Sequence, residues 1–269
     1  MIYFLKSKLL LIKKSSKLFK YRKQNSIGKC SVCGRKSRFL CDKENKKESL
    51  YCIYCNAWLR IRYLADILIK TYSGEDAESL SDIIHESDFQ SMAIFEAQAV
   101  GPIHNLLKKT NDYVCSEYYD NVPSGTFFKG KRCENLQKLS FPDNSLDLIL
   151  HTSVFEHVRK PKLAIKEQFR VLKPTGILLF EIPMTDINSP NIRRISKSRV
   201  DTSANDDKFI LAPIYHNDPV HKNGALVYTD WGMDIVKMLE EAGFSVTFHA
   251  ITIENSSMSH IVVLQCQKN

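Results

Sequence analysis

The run Leu139-Ser140-Phe141-Pro142-Asp143-Asn144-Ser145-Leu146-Asp147-Leu148-Ile149-Leu150 continues through Val154-Phe155-Glu156-His157-Val158 to Arg170-Val171-Leu172-Lys173-Pro174-Thr175-Gly176. Its apolar patterning predicts a strand over Leu146 to Thr152, a helix over Lys162 to Leu172 and a second strand over Gly176 to Pro183. Strands that alternate with helices in this way predict a parallel sheet covered on both faces.

Outward from this unit the pattern repeats. Earlier strands are expected at Met92 to Ala97, Tyr113 to Tyr118 and Arg132 to Leu136, and later ones at Ser245 to Ile253 and His260 to Gln267. Helices are expected at Gly101 to Lys109 and Asp230 to Ala242, the second ended by Gly243. The last two strands are separated only by Glu254 to Ser259, too short for a crossover helix, so they should pair as an antiparallel hairpin. A polar segment, Met184 to Thr229, interrupts the series, and Pro190, Pro213 and Pro219 oppose continuous helix through it. Its length suggests a substrate lid, with Ser196 to Lys208 as the mobile part and Phe209 to Tyr228 docked on the sheet edge.

The quoted run resembles the class I methyltransferases of the type 11-like group, and the resemblance covers roughly residues 90 to 183. It implies an α/β fold: a Rossmann-like, seven-stranded, mostly parallel sheet with a terminal antiparallel hairpin, and S-adenosylmethionine bound at the carboxyl ends of the strands. Carried onto this sequence, it places Glu96, Ala97, Gln98 and Gly101 at the first cofactor turn, with Glu117 on the ribose hydroxyls and Tyr118 beside it. Asn135 and Leu136 fall where the family grips adenine, and Thr152 ends the fourth strand. Gln98 and Val100 stand where the family carries glycines, which leaves open a degenerate domain that serves as a binding scaffold. A narrower similarity, to a bacterial methyltransferase group linked with glycan or secondary-metabolite pathways, rests on the ribbon of Cys30, Cys33, Cys52 and Cys55, on the Glu96–Pro102 turn, and on His216-Asn217-Asp218-Pro219 leading to Leu226 to Asp230.

Methyl transfer to oxygen calls for a base that is neutral near pH 7, and histidine suits that task. His157, after the fourth strand, and His216, in the long segment, are the expected catalytic groups, with Asp218 as an orienting carboxylate and His221 nearby. His151 ends the fourth strand and reads as structural or as a neighbour of the methionine moiety.

Four of the eight cysteines fall as Cys30-x-x-Cys33 and Cys52-x-x-Cys55. Gly28 and Gly34 flank the first pair and Asn56 follows the second, so two turns can aim four thiolates at one tetrahedral ion. The spacing predicts a zinc ribbon whose metal is structural. Two disulfides are the competing reading, disfavoured in a reducing cytosol. Cys41 is a spare ligand or a strand residue, while Cys115, Cys133 and Cys266 read as small buried hydrophobes.

The 269 residues are 43% hydrophobic and carry a formal charge of +8. Residues 1 to 23 hold eight bases and no acid, so the remainder is balanced at 30 basic against 30 acidic residues. The arm therefore reads as a basic amphipathic helix that touches an anionic membrane surface, or as a plain terminal helix. A cytoplasmic protein is expected, peripheral to the inner face of the membrane if the arm is the surface helix, with no secretory signal and no membrane span. The resulting domain plan is an arm (1–23), a ribbon (24–57), linker helices (58–89) and a catalytic domain (90–269) bearing the lid insertion (184–229). The leading function is O-methylation of a small-molecule or glycan acceptor. RNA methylation is disfavoured because the basic surplus is confined to the arm.

Overall fold

A computed structural model describes residues 27–40, 50–73, 76–184, 191–252 and 260–269; the basic arm, Cys41, Pro190 and the segment Glu254 to Ser259 lie outside the described residues. Strands β1 (Ile27–Lys29), β2 (Lys36–Leu40) and β3 (Tyr51–Cys52) pair antiparallel as the ribbon. Both knuckles close on residues in the left-handed region. Gly34 (φ 73°) donates its N–H to the Cys30 carbonyl at 2.9 Å, and Asn56 (φ 58°) donates to that of Cys52 at 2.8 Å. A Cβ at Gly34 would stand 2.9 Å from Ser79 Oγ, so the first knuckle needs glycine for space as well as for conformation.

Helix α1 (Leu59–Tyr72) is more than the linker its position suggested. It buries Leu59, Ile61, Leu64, Ala65, Leu68 and Ile69, and one continuous core runs from Cys30, Val32 and Phe39 through this helix to Ile94, Leu148, Leu179 and Val263 in the main sheet. Each fully buried leucine in that stripe contributes roughly 1.5–3 kcal/mol. Arg62 is also buried in the stripe, its Nη2 donating to the Leu50 carbonyl at 2.7 Å and its guanidinium lying 3.7 Å from the Phe39 ring centroid. The cation is tolerated there because carbonyl and ring face replace water.

The main sheet comprises β4 (Ala93–Glu96), β5 (Asp112–Cys115), β6 (Leu146–Thr152), β7 (Leu172–Ile182), β8 (Phe244–Thr252) and β9 (His260–Lys268) in the order β8-β9-β7-β6-β4-β5. Strand β9 runs antiparallel to both neighbours and the other pairings are parallel, which matches the expected terminal hairpin. The ribbon core covers one face. A second core beneath α3 (Pro161–Val171) and α4 (Asp234–Glu241) covers the other, with Trp231 stacked on Phe155 at 5.4 Å.

The expected seventh strand, Arg132 to Leu136, is reduced to a single parallel bridge between Cys133 and Glu117. Lys131–Arg132 instead pairs with Phe127–Phe128, and Asn135 Oδ1 accepts the Gln137 N–H at 2.9 Å, which turns the chain where a strand would continue.

The 184–229 insertion is ordered in its described part by three two-residue ladders: Lys197–Ser198 with Thr229–Asp230, Val200–Asp201 with Lys208–Phe209, and Tyr215–His216 with Ala225–Leu226. Gly224 permits the last of these, because a Cβ there would stand 2.3 Å from the His216 carbonyl oxygen. Phe209, Ile210 and Leu211 remain exposed and do not dock on the sheet edge as the sequence suggested; Val227 and Thr229 are buried in their place. Among the described residues no helix is long and apolar enough to cross a membrane.

Candidate active site

A cleft of about 1070 Å³ opens at the carboxyl ends of β4, β5 and β6. Ala97, Gln98, Gly101, Glu117, Tyr118 and Thr152 line its floor; Cys55, Asn56, Trp58 and Arg60 from the ribbon and α1 form one wall; Tyr215, Asp218, His221 and Leu226 of the insertion form another. This is the edge at which open parallel sheets bind ligands.

Glu117 continues from β5, and its side chain is only 9% exposed. Its Oε1 accepts from Lys131 Nζ at 3.1 Å and from the Ala99 N–H at 3.3 Å, while Oε2 takes no hydrogen bond from a described residue. A carboxylate oxygen at the cleft floor thus remains able to accept from a ligand hydroxyl. Lys131, which nothing in the sequence pattern singled out, supplies the countercharge.

Gln98 explains part of the departure from a glycine-rich turn. Its Oε1 accepts the Thr152 N–H at 3.1 Å and so bridges the ends of β4 and β6, a contact that glycine cannot make. Gly101 adopts φ 110° before helix α2 (Pro102–Leu107), which keeps the left-handed turn that the position demands. Glu96 lies below the floor and does not line the cleft. It is buried, accepts from Tyr113 Oη at 2.5 Å, and sits at the end of a chain that includes His104 Nδ1, 2.9 Å from the same oxygen. Burial pushes the Glu96 carboxyl up to about 8, opposed by the Tyr113 hydrogen bond and assisted by the charge of Glu117.

Asn135 and Leu136 do not line the cleft. Asn135 Oδ1 accepts from both the backbone N–H and the side-chain Nε2 of Gln137, at 2.9 and 3.0 Å, and Leu136 belongs to the core. The same turn that ends the seventh strand early accounts for both.

The histidines separate into two groups. His157 lines the cleft, and its Nδ1 lies 2.9 Å from the Leu226 carbonyl. Its Nε2 is 3.7 Å from Glu156 Oε1, and His216 Nδ1 is 3.7 Å from the same oxygen. Burial alone would raise the Glu156 carboxyl, but His216 and His157 hold it below the ordinary carboxylate value. Asp218, expected beside His216, instead accepts from His221: Nδ1 and Oδ2 are 2.6 Å apart, and Asp218 Oδ1 takes the Val220 N–H at 2.7 Å. Asp218 and His221 both line the cleft, whereas the His216 side chain does not. His151 is fully buried between Phe155 and Phe180, contacts Gln168 Oε1 at 3.2 Å, and is driven down to about 4 by desolvation, so it is a neutral structural residue.

Arg60, missed in the sequence because it reads only as a polar residue on an amphipathic helix, reaches the end of β7. It donates to Ser153 Oγ and stands 3.8 Å from buried Glu181, which itself accepts from Ser153 at 2.7 Å. This network holds the ribbon wall to the sheet. In the ribbon, Cys30 and Cys55 sulfurs are 3.7 Å apart, Cys33 and Cys52 sulfurs 3.8 Å, and all four lie within 4.8 Å of one another. A tetrahedral zinc with arms of about 2.3 Å has sulfur–sulfur edges of about 3.8 Å.

Residues 107–180 match the family described as "Methyltransferase domain", over the segment that runs from the end of α2 through β5, β6 and most of β7 and includes Glu117. This match and the α/β topology support an S-adenosylmethionine-dependent methyltransferase. Similar solved structures include an S-adenosylmethionine-dependent methyltransferase from Methanosarcina mazei (17% identity, 65% of this chain and 91% of that one, TM-score 0.40). Others come from Mesorhizobium loti (12% identity, 66% and 91%, TM-score 0.42) and Aquifex aeolicus (14% identity, 66% and 82%, TM-score 0.38). No curated protein sequence matches the chain. The matched segment supplies Glu117, Tyr118 and Thr152 of the cleft floor, whereas Ala97, Gln98, Gly101 and both walls come from outside it.

Proposed function

We propose that the protein transfers a methyl group to a hydroxyl oxygen of a small-molecule or glycan acceptor, with His221 as general base and Asp218 as its orienting carboxylate. The observation that carries this reading is the 2.6 Å Asp218–His221 pair on the cleft wall that faces the strand ends. With Nδ1 committed to Asp218, Nε2 is the nitrogen that accepts the acceptor's hydroxyl proton. When bound, S-adenosylmethionine supplies an activated methyl: the acceptor oxygen forms the new bond to carbon as the bond to sulfur breaks. Glu117 would hold the ribose hydroxyls through Oε2, with Ala97 and Gln98 beside them at the turn. The insertion, packed over the cleft through Arg159–Asp207 at 2.6 Å and Tyr228–Asp207 at 2.9 Å, would exclude water and orient the acceptor. The ribbon would bind one structural zinc, which shapes the opposite wall.

The test is methyl transfer assayed across sugar nucleotides, phenolic metabolites and RNA, with wild-type protein and His221→Ala. A hydroxyl-bearing small acceptor should be methylated, and His221→Ala should lower kcat by roughly 10²–10⁴-fold while S-adenosylmethionine affinity stays unchanged in calorimetry. Methylation of RNA alone would overturn the acceptor class. Undiminished turnover in the variant would remove His221 as the base.

A further inference from the structure

We propose a second metal centre, built from Glu156, His157 and His216, that takes a first-row transition-metal dication and clamps the Tyr215–Leu226 hairpin to the end of β6. One nitrogen from each histidine and a carboxylate oxygen lie within 4.8 Å of one another. Glu156 is 2% exposed, and among the described residues neither of its carboxylate oxygens takes a hydrogen bond. A buried carboxylate in that condition calls for a cation close by.

The spacing favours an intervening ion over direct pairing. Both imidazole nitrogens stand 3.7 Å from Glu156 Oε1, outside hydrogen-bond reach. A tetrahedral centre with arms of about 2.1 Å separates its ligands by about 3.4 Å, so only small adjustments are needed. The supporting contacts also fit. His157 Nδ1 lies 2.9 Å from the Leu226 carbonyl, which fixes that nitrogen as the N–H donor and leaves Nε2 as the metal-binding atom. The two rings meet edge to face with centroids 5.0 Å apart. Two imidazoles and one carboxylate suit zinc, iron(II) or cobalt(II) better than calcium or magnesium, which prefer all-oxygen sites. The histidine side chains are 17% and 43% exposed, which gives the ion a route in from solvent.

The ligands explain what the centre would do. Glu156 and His157 belong to the short turn after β6 (Phe155–His157), while His216 lies on the insertion. On the same hairpin Asp218 holds His221, so a metal here would fix the wall that carries the proposed base without joining it.

Cobalt(II) titration of the full chain, with its four-cysteine site already filled with zinc, decides the matter. One further equivalent should bind and give visible d–d absorption without thiolate-to-metal charge transfer. His216→Ala should weaken that binding at least tenfold, because losing a ligand costs no less than losing a supporting hydrogen bond. Glu156→Gln should do the same, and His221→Ala should retain the site, which separates this centre from the base. Absence of the bands, bands accompanied by thiolate charge transfer only, or equal affinity in His216→Ala and wild type would each overturn the proposal.

Discussion

The cleft has two walls that the family-matched segment does not supply, and they are built by opposite means. The ribbon wall is local: two Cys-x-x-Cys turns and Asn56 position Cys55, and the helix that follows positions Trp58 and Arg60. The hairpin wall is assembled at a distance, from two-residue strands with little core of their own and from side chains that reach Glu156, the Leu226 carbonyl and Asp207. Short spacing can be read from one sequence because the geometry it implies is nearly closed. Long-range assembly cannot, because no local pattern says which turn His216 will meet.

Removing the metal site of the ribbon should have the largest effect. Cys30→Ser with Cys52→Ser leaves two sulfurs, and zinc folding energy in comparable small modules is of the order of 10–16 kcal/mol, far more than this ribbon's few buried side chains replace. Metal analysis should show the loss of one zinc equivalent, and limited proteolysis should cut within residues 27–57. Methyl transfer should become undetectable, since Cys55 and Asn56 line the cleft. Unchanged metal content would refute the ribbon assignment, and full activity after its loss would show that this wall is dispensable.

The floor should respond differently from either wall. Glu117→Ala should weaken S-adenosylmethionine binding by about 1.5–3 kcal/mol, the range for hydrogen bonds to a charged group, which is roughly ten- to a hundredfold in Kd. The fold should persist, because Glu117 faces the cleft and the two groups that lose their acceptor, Lys131 Nζ and the Ala99 N–H, can turn to solvent. Calorimetry checks the affinity, and an unchanged Kd would mean that the ribose lies elsewhere.

Most of the sheet was legible because its strands are apolar runs with fixed periods: Leu146 to Thr152 is found as expected, and β4, β7, β8 and β9 fall within a few residues of their predicted limits. The exception, Arg132 to Leu136, fails where polar side chains fold back on the backbone: Glu134 is buried against Arg132 and Ser140, and Asn135 makes its own turn. Cys133 and Cys266 are buried as expected, and Cys115 is half-buried. In the site, Glu117, Gln98 and Thr152, which the family resemblance placed at the strand ends, line the cleft, although Gln98 stood in the sequence as a departure from the family's glycines. Arg60, Lys131 and the pairing of His221 with Asp218 were not legible, since each depends on a contact between segments distant in sequence or on the turn that Asp218 makes around Pro219.

The most indirect expected effect, read only as a change with pH, concerns Glu96, a buried acid beneath the floor. Its folded carboxyl titrates near 8 against an ordinary value of 4.5, because burial disfavours the charged form. The folded state therefore binds this proton more tightly than the unfolded chain does. The stabilisation is fully present below about 4.5 and is lost as pH rises through about 8. Glu96→Gln keeps the shape and removes the titration. Between pH 6 and pH 8 the wild type should lose stability relative to the variant by about 1.4 kcal/mol per pH unit. By pH near 9 the gap should have moved in the variant's favour by about 2–3 kcal/mol relative to pH 6, or several degrees in Tm for a chain of this size. Tyr113 donates to Glu96 whether or not the carboxyl is ionised, so that hydrogen bond does not reverse the sign. Differential scanning fluorimetry of both proteins across this pH range checks the prediction. A gap between them that does not widen with pH would show that Glu96 is already ionised in the folded protein, and that the cleft floor is wetter than its packing implies.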